Sequence, residues 1–154
     1  AIMQEAQSTF ISSTFWTERI GPSAALKTLE IMEREKSWEK ITKIGNKVSE
    51  IWKKLGQKYQ LPISIFGIPA LIQLRFISKF NLEYKTLITQ EMLKKGYLAA
   101  NSVYVCTEHN SNILEGYEKA LDRTFELIAE CENGRSVKKL LEGPICNASF
   151  QRLS

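Results

Sequence analysis

The sequence is poor in metal-binding side chains. It has one histidine, His109, and three widely spaced cysteines, Cys106, Cys131 and Cys146. A single imidazole excludes a histidine-based metal cluster, and the absence of a Cys-x-x-Cys pair argues against zinc. The odd cysteine count also argues against a disulfide framework. We therefore expect no metal, and a reducing cytoplasm is the simplest location for the chain.

Long apolar runs and one-sided charge are missing as well. Residues 63–70 form the longest apolar stretch, far short of the roughly 20 residues that cross a bilayer. The first residues lack the basic segment and apolar segment of a signal peptide. The net charge of +4 is spread over helical patterns in which lysines mix with acids. We expect neither membrane nor nucleic-acid binding.

Glycine-rich nucleotide motifs are also absent. The eight glycines are scattered singly and form neither a P-loop nor a Rossmann fingerprint. No G-x-S-x-G elbow accompanies His109, so a Ser/His/Asp triad has no support. Beside Asn110 at a predicted helix start, His109 is expected to be a surface or capping residue. An enzyme with its own site around His109, Cys106 and Arg75 is the least favoured function.

Helical spacing dominates what is present in the 154 residues. Residues 24–36 predict one helix and residues 82–95, ended by Gly96, predict another. A long helix over 113–131 has Asn110 or Ser111 as its cap, and a short helix is predicted over 136–141. Between the first two of these, a helix starts near Ser37 and ends at Gly56. Its apolar residues recur every three or four positions: Trp38, Ile41, Ile44, Val48, Ile51, Trp52 and Leu55.

Branched and aromatic residues predict a small sheet. Residues 63–66 and 71–77 form two strands joined by a bend at Gly67-Ile68-Pro69, and residues 97–100 and 103–106 are strand-like. The order of elements predicts an α+β domain with helices on one face of a small, mostly antiparallel sheet.

Two polar features could bind an anion. Ser12-Ser13-Thr14 precede an apolar helix, and their hydroxyls with loop N–H groups could hold a phosphate; the alternative is ordinary helix capping. Arg75 lies in an apolar strand and could anchor a substrate carboxylate with its forked donors; the alternative is an arginine at the rim of the sheet.

The chain resembles class III pyridoxal-phosphate aminotransferases over essentially all of its length. Ile2-Met3, Ser12-Ser13-Thr14 and the run from Ala24 to Leu29 are similar to the family's segment after the cofactor lysine. There, an "R-x-I-M" helix end leads to a "G-[ST]-T-x-x-G-N-P" loop and an Ala-rich helix ending "A-T-L". Lys95-Gly96-Tyr97-Leu98 and the long helix after His109 resemble the family's "G-V-Y-L" strand and "A-H-T-x-x-D-I" helix opening. Glutamate-1-semialdehyde 2,1-aminomutase-like members are the closest match.

This resemblance implies a fold-type I enzyme with pyridoxal phosphate as its cofactor. Residues 1–36 would end the large cofactor-binding domain, and residues 37–154 would form the small C-terminal domain. Thr14 falls on the family threonine that contacts the cofactor phosphate across a homodimer interface, with Ser13 beside it; Thr9 takes that place in another register. The family's Schiff-base lysine has no counterpart here. The chain is therefore expected to carry no catalytic residue and to be inactive alone.

The sequence departs from the family pattern just before the first helix. Trp16-Thr17-Glu18-Arg19 stand where "S-G-N-P" is expected, a replacement that resembles aminotransferases of sugar or surface-polysaccharide pathways. Glu18 or Arg19 could face a substrate, or could equally cap or pair with the helix that follows.

Two functions of different classes follow. The first is the C-terminal part of an aminotransferase or aminomutase that acts on an amino donor and a carbonyl acceptor. The alternative is a stand-alone, non-enzymatic α+β interaction module. The first 30 residues discriminate between them. In part of a larger enzyme, the Ala-rich helix over 23–33 and the loop over 10–16 would lose their partners and leave an exposed apolar patch or disorder, whereas a complete module would bury them.

Overall fold

The computed structural model describes residues 4–5 and 17–148, and the chain divides into two compact units, Ala1–Ser37 and Trp38–Ser154. In the first unit, helix α1 spans Ile20–Glu35 and contains no buried residue. Lys36 adopts a left-handed conformation directly after it, and its N–H returns to the last turn of the helix. The assignment of residues 1–36 and 37–154 to a large and a small domain remains a prediction.

Helix α2 spans Ser37–Lys58 and buries Val48, Trp52 and Leu55 of the apolar side predicted from its spacing, whereas Trp38 at its start is 49% exposed. The predicted end at Gly56 is wrong, because the helix continues through it. A Cβ at Gly56 would lie 2.7 Å from Cδ1 of Ile63, so the missing side chain allows close packing of the following strand.

Within the described residues, the sheet has three antiparallel strands in the order β1-β2-β3: Ile63–Ile68, Leu71–Phe76 and Ser102–Tyr104. The predicted hairpin is confirmed, although β1 runs through Gly67 and Ile68 and the turn lies at Pro69-Ala70. Alternate residues of β2, namely Ile72, Leu74 and Phe76, are buried on the inner face.

Residues 97–100, predicted as strand-like, form no strand. Gly96 has a φ of 82° after helix α3, which spans Asn81–Lys94, and the N–H of Tyr97 donates back to the carbonyl of Met92. The backbone is thus engaged by the end of the helix and follows an irregular path until Ser102.

Helix α4 spans Ser111–Glu132 and packs with α3 against the inner face of the sheet. The ring of Phe76 lies 5.6 Å from that of Tyr84 in α3 and 5.4 Å from that of Phe125 in α4. Asn110 is the cap, because its Oδ1 accepts the N–H of Ile113 at 3.1 Å. The short helix predicted over 136–141 is only a 3-10 turn, Val137–Lys139. The α+β class is confirmed.

Replacement of Gly45 by alanine tests the contact between α2 and the hairpin turn. A Cβ at Gly45 would lie 2.0 Å from the carbonyl oxygen of Pro69. Glycine-to-alanine changes inside helices usually stabilise by about 1 kcal/mol, whereas overpacking costs about 1–3 kcal/mol. We expect Gly45→Ala to lower the free energy of unfolding, measured by urea titration. Gly143→Ala is the control, because no atom lies within 4 Å of its Cβ position. A Gly45→Ala protein as stable as the parent would contradict the contact.

Candidate functional site

The residues predicted to contact a cofactor phosphate, Ser13 and Thr14, lie outside the described residues, as does the alternative Thr9. Their assignment remains a prediction. The described residues therefore provide no test of how this chain would fit a phosphate.

Glu18 and Arg19 lie at the start of α1. The carboxylate of Glu18 accepts the N–H groups of Ile20 and Gly21, at 2.5 Å and 3.0 Å, and so caps the helix. These bonds satisfy donors that a helix N-terminus leaves open, and they place negative charge at the positive end of the helix dipole. Arg19 is the exposed residue that precedes the helix, and its side chain makes no capping bond. Of the two alternatives for Glu18, the structure contains the cap.

Arg75 lies on the outer face of the sheet. It pairs with Ser64 of the neighbouring strand, and its exposed guanidinium lies 5.6 Å from the centre of the Phe66 ring. Such cation–π contacts are worth about 0.5–1 kcal/mol when exposed. Arg75 belongs to the second unit, whereas Glu18 and Arg19 belong to the first.

Cys106 and His109 meet through the backbone. The N–H of Cys106 donates to Nδ1 of His109 at 3.4 Å, so the neutral ring carries its proton on Nε2 and can donate it elsewhere. This contact engages no thiol group, and it does not form a nucleophile–base pair. The capping alternative for His109 is wrong, since Asn110 provides the cap.

A cavity of about 460 Å³ adjoins His109. Its walls include the loop after Gly96, all three residues of β3 and the first turns of α4. Tyr97, Tyr104 and Tyr117 are among its lining residues, and within the described part of the chain no aspartate, glutamate, lysine or arginine lines it. Sequence reasoning missed this cavity. The signal that could have indicated it is the concentration of three tyrosines and the single histidine within residues 97–117.

A buried hydrogen bond supports one wall of the cavity. Nε1–H of Trp52 in α2 donates to the hydroxyl oxygen of Tyr117 in α4 at 2.9 Å. Burial raises the pKa of Tyr117 to about 12, and the Trp52 bond opposes part of this increase. Two surface ion pairs, Lys54–Glu118 and Lys58–Asp122, join the same helices.

Among residues 4–5 and 17–148, no group of three or more histidine, cysteine, aspartate or glutamate side chains could hold a metal ion. Within the same part of the chain, no helix has both the length and the apolar character required to cross a membrane.

Comparisons with known proteins find similarity both in sequence and in structure. No family model matches the chain. It is 27% identical over 144 residues to the 3-aminobutyryl-CoA aminotransferase of Cloacimonas acidaminovorans (strain Evry), covering 88% of this chain and 32% of the relative. The FumI protein of Sphingopyxis sp. MTA144, solved in its PLP internal aldimine form, is similar in fold with a TM-score of 0.74. That match has 17% identity and covers 90% of this chain and 34% of FumI. The chain thus spans about a third of the length of both relatives.

The raised pKa of Tyr117 predicts a loss of stability at alkaline pH. Above pH 10 the unfolded chain releases the phenol proton, while the folded chain retains it until about pH 12. The stabilisation is therefore complete below pH 10 and is lost as the pH rises to about 12. The free energy of unfolding falls by about 3 kcal/mol over this range. Urea unfolding at neutral and alkaline pH measures this change.

Tyr117→Phe separates the two roles of the hydroxyl. At neutral pH it leaves the indole N–H of Trp52 buried without its acceptor, and we expect a cost of about 1–3 kcal/mol. At alkaline pH its stability falls less than that of the parent. Tyr104→Phe is the control, because Tyr104 is 76% exposed. An unchanged alkaline loss in Tyr117→Phe would assign that loss to other groups, such as Tyr84, whose pKa burial also raises.

Proposed function

We propose that this chain, whose sequence and fold match a C-terminal part of a class III pyridoxal-phosphate aminotransferase, serves an enzyme that moves an amino group between two small molecules. The observation that carries the proposal is the alignment with an aminotransferase over 88% of the chain. Enzymes of this kind use pyridoxal phosphate, and the matched FumI structure contains it. Bound there, the cofactor supplies an electron sink for the reacting carbon.

Helix α1 supports a role within a longer protein. Leu26 and Leu29 are 71% and 61% exposed, Met32 is also exposed, and Ile20 at the start of the helix is 79% exposed. Leu26, Leu29 and Met32 recur every three residues, so they share one side of the helix. A stand-alone module would bury such a face, whereas part of an enzyme would present it to the remaining polypeptide. This observation favours the enzyme over the interaction module.

The roles proposed for individual residues follow from their chemistry. Ser13 and Thr14 would donate hydroxyl hydrogen bonds to the cofactor phosphate of the other subunit in a homodimer. Arg19 and Arg75 are the candidates for binding a substrate carboxylate. Glu18 is less suited to a substrate, because its oxygens already accept N–H groups of α1. The cofactor lysine would lie elsewhere in the longer protein, so the isolated chain would be inactive.

Transamination is favoured over mutase chemistry. The curated relative is an aminotransferase whose name gives an amino acid carried on coenzyme A as its substrate. We accordingly propose that the amino donor is a primary amine, and that one candidate for this donor is an amino acid bound to its carrier as an acyl thioester. The glutamate-1-semialdehyde aminomutase subtype is the finer alternative, and turnover of each substrate class by the longer protein distinguishes them.

The intact mass and absorbance of the protein purified from its source test the proposal. We expect a mass well above 17.6 kDa and a yellow colour that borohydride bleaches, because reduction removes the conjugated link between lysine and cofactor. A colourless product of 17.6 kDa would overturn the enzyme proposal and support the interaction module.

Substitution of Thr14 in that longer protein tests the phosphate contact. Thr14→Val keeps the shape and removes the hydroxyl, and a hydrogen bond to a charged group is worth about 1.5–3 kcal/mol. We expect pyridoxal phosphate to bind about tenfold to a hundredfold more weakly, measured by equilibrium dialysis. Thr28→Val is the control and should leave binding unchanged, because the Thr28 hydroxyl already donates to the carbonyl of Ala24 within α1. Equal affinities in both variants would remove Thr14 from the phosphate site.

A further inference from the structure

Among residues 4–5 and 17–148, those that line the cavity beside His109 carry no ionised carboxylate, ammonium or guanidinium group. A charged group placed in it would lose water without gaining an opposite charge, which is costly. Aromatic and aliphatic side chains instead favour an apolar occupant. The volume of about 460 Å³ is in the range of small-molecule sites rather than of a packed protein segment.

Strand β3 gives this cavity a row of backbone hydrogen-bonding groups. The carbonyl of Asn101 accepts the N–H of Leu74, and the N–H of Val105 donates to the carbonyl of Ala70. The odd-numbered residues of this segment therefore direct their backbone N–H and C=O groups towards β2. In an antiparallel ladder the intervening residues direct their backbone groups to the other side. Ser102 and Tyr104 therefore carry N–H and C=O groups at the edge of the sheet with which no other described strand pairs, and both residues line the cavity.

Exposed apolar side chains surround the same place. Leu98 is 96% exposed, Tyr104 is 76% exposed and Ile113 is 42% exposed, and all three line the cavity. A bound molecule would cover part of this apolar surface and gain free energy in proportion to the area removed from water. The exposed surface and the unpaired strand edge are independent observations that coincide at one cavity.

We propose that this cavity binds an uncharged aliphatic molecule that contains a secondary amide. The amide pairs with the backbone edge at Ser102 and Tyr104, and the aliphatic part contacts Val103, Ile113 and the tyrosine rings. Because Nδ1 of His109 accepts the N–H of Cys106, its Nε2–H would be the ring donor to a carbonyl oxygen of the ligand. Strand β3 is three residues long, so its edge can pair with one or two amide groups. This length agrees with a small ligand. This assignment is independent of pyridoxal phosphate.

Two probes with the same chemistry identify the source of the ligand. Pantetheine, the arm of coenzyme A, has two amides in an uncharged aliphatic chain. N-acetyl-leucine N-methylamide presents the corresponding groups of a peptide. 1,6-Hexanediol is aliphatic and uncharged but lacks an amide. Each is titrated into the isotope-labelled protein, and backbone amide resonances report binding at individual residues.

We expect saturable shifts at Ser102 and Tyr104 with at least one amide probe, and binding of hexanediol that is at least about tenfold weaker. Tighter binding of pantetheine assigns the site to a thioester arm, and tighter binding of the capped leucine assigns it to a peptide. Absence of a saturable shift with both amides, or equal binding of hexanediol, would overturn the proposal. Because no probe contains pyridoxal phosphate, failure here leaves the aminotransferase proposal standing.

Matched substitutions confirm the location. Ile113→Trp fills the mouth of the cavity and should weaken binding by at least about tenfold. Ile77→Trp is the control, because Ile77 is 63% exposed and does not line the cavity. Leu98→Asp places a charge at the rim without a folding cost, since Leu98 is almost fully exposed, and it should also weaken binding. Unchanged affinity in both cavity variants would place the probes elsewhere.

Discussion

The buried hydrogen bond between Trp52 and Tyr117 is the constraint on which the second unit depends. It joins residues 65 positions apart and fixes how α2 lies beside α4. Neither polar group can be buried without its partner at low cost, so the two helices have one favourable register. The ion pairs of Lys54 and Lys58 follow that register along the surface. Their contribution is small, because solvent screens exposed pairs.

The same register shapes the cavity. Tyr117 is both the acceptor for Trp52 and part of the cavity lining, and its ring lies 6.1 Å from that of Tyr97. The core of the unit thereby continues directly into the binding surface. The wall that Tyr117 contributes is therefore held by the core, whereas another wall is formed by the loop after Gly96.

Periodicity predicted most of the fold, and local conformation accounts for the errors. The helices α2 and α4 have long apolar repeats, and the hairpin has branched residues on both sides of a proline turn, so each was predictable. The sequence predicts a helix end at Gly56 because it does not distinguish a glycine required by close packing from a glycine required by a left-handed turn. Residues 97–100 have strand-like composition, but the return of Tyr97 to the carbonyl of Met92 controls their path.

The candidate site was less predictable, because its parts have no sequence motif. An unpaired strand edge depends on which strands are neighbours, and a cavity depends on side chains from three separate elements. Arg75 and Glu18 were recognised as polar residues of interest, yet their partners, Phe66 and the first N–H groups of α1, emerge only from the folded chain. The phosphate contacts at Ser13 and Thr14 rest on resemblance.

Gly116 on α4 controls the shape of the cavity although it is not one of the lining residues, because it lies against Tyr97. The hydroxyl of Tyr97 lies only 2.5 Å from where a Cβ of residue 116 would be, so any larger residue there must displace the tyrosine. Gly116 is absent from the lining itself. Ligand preference in related proteins can therefore diverge through a position that never touches the ligand, and a comparison restricted to contact residues would overlook it.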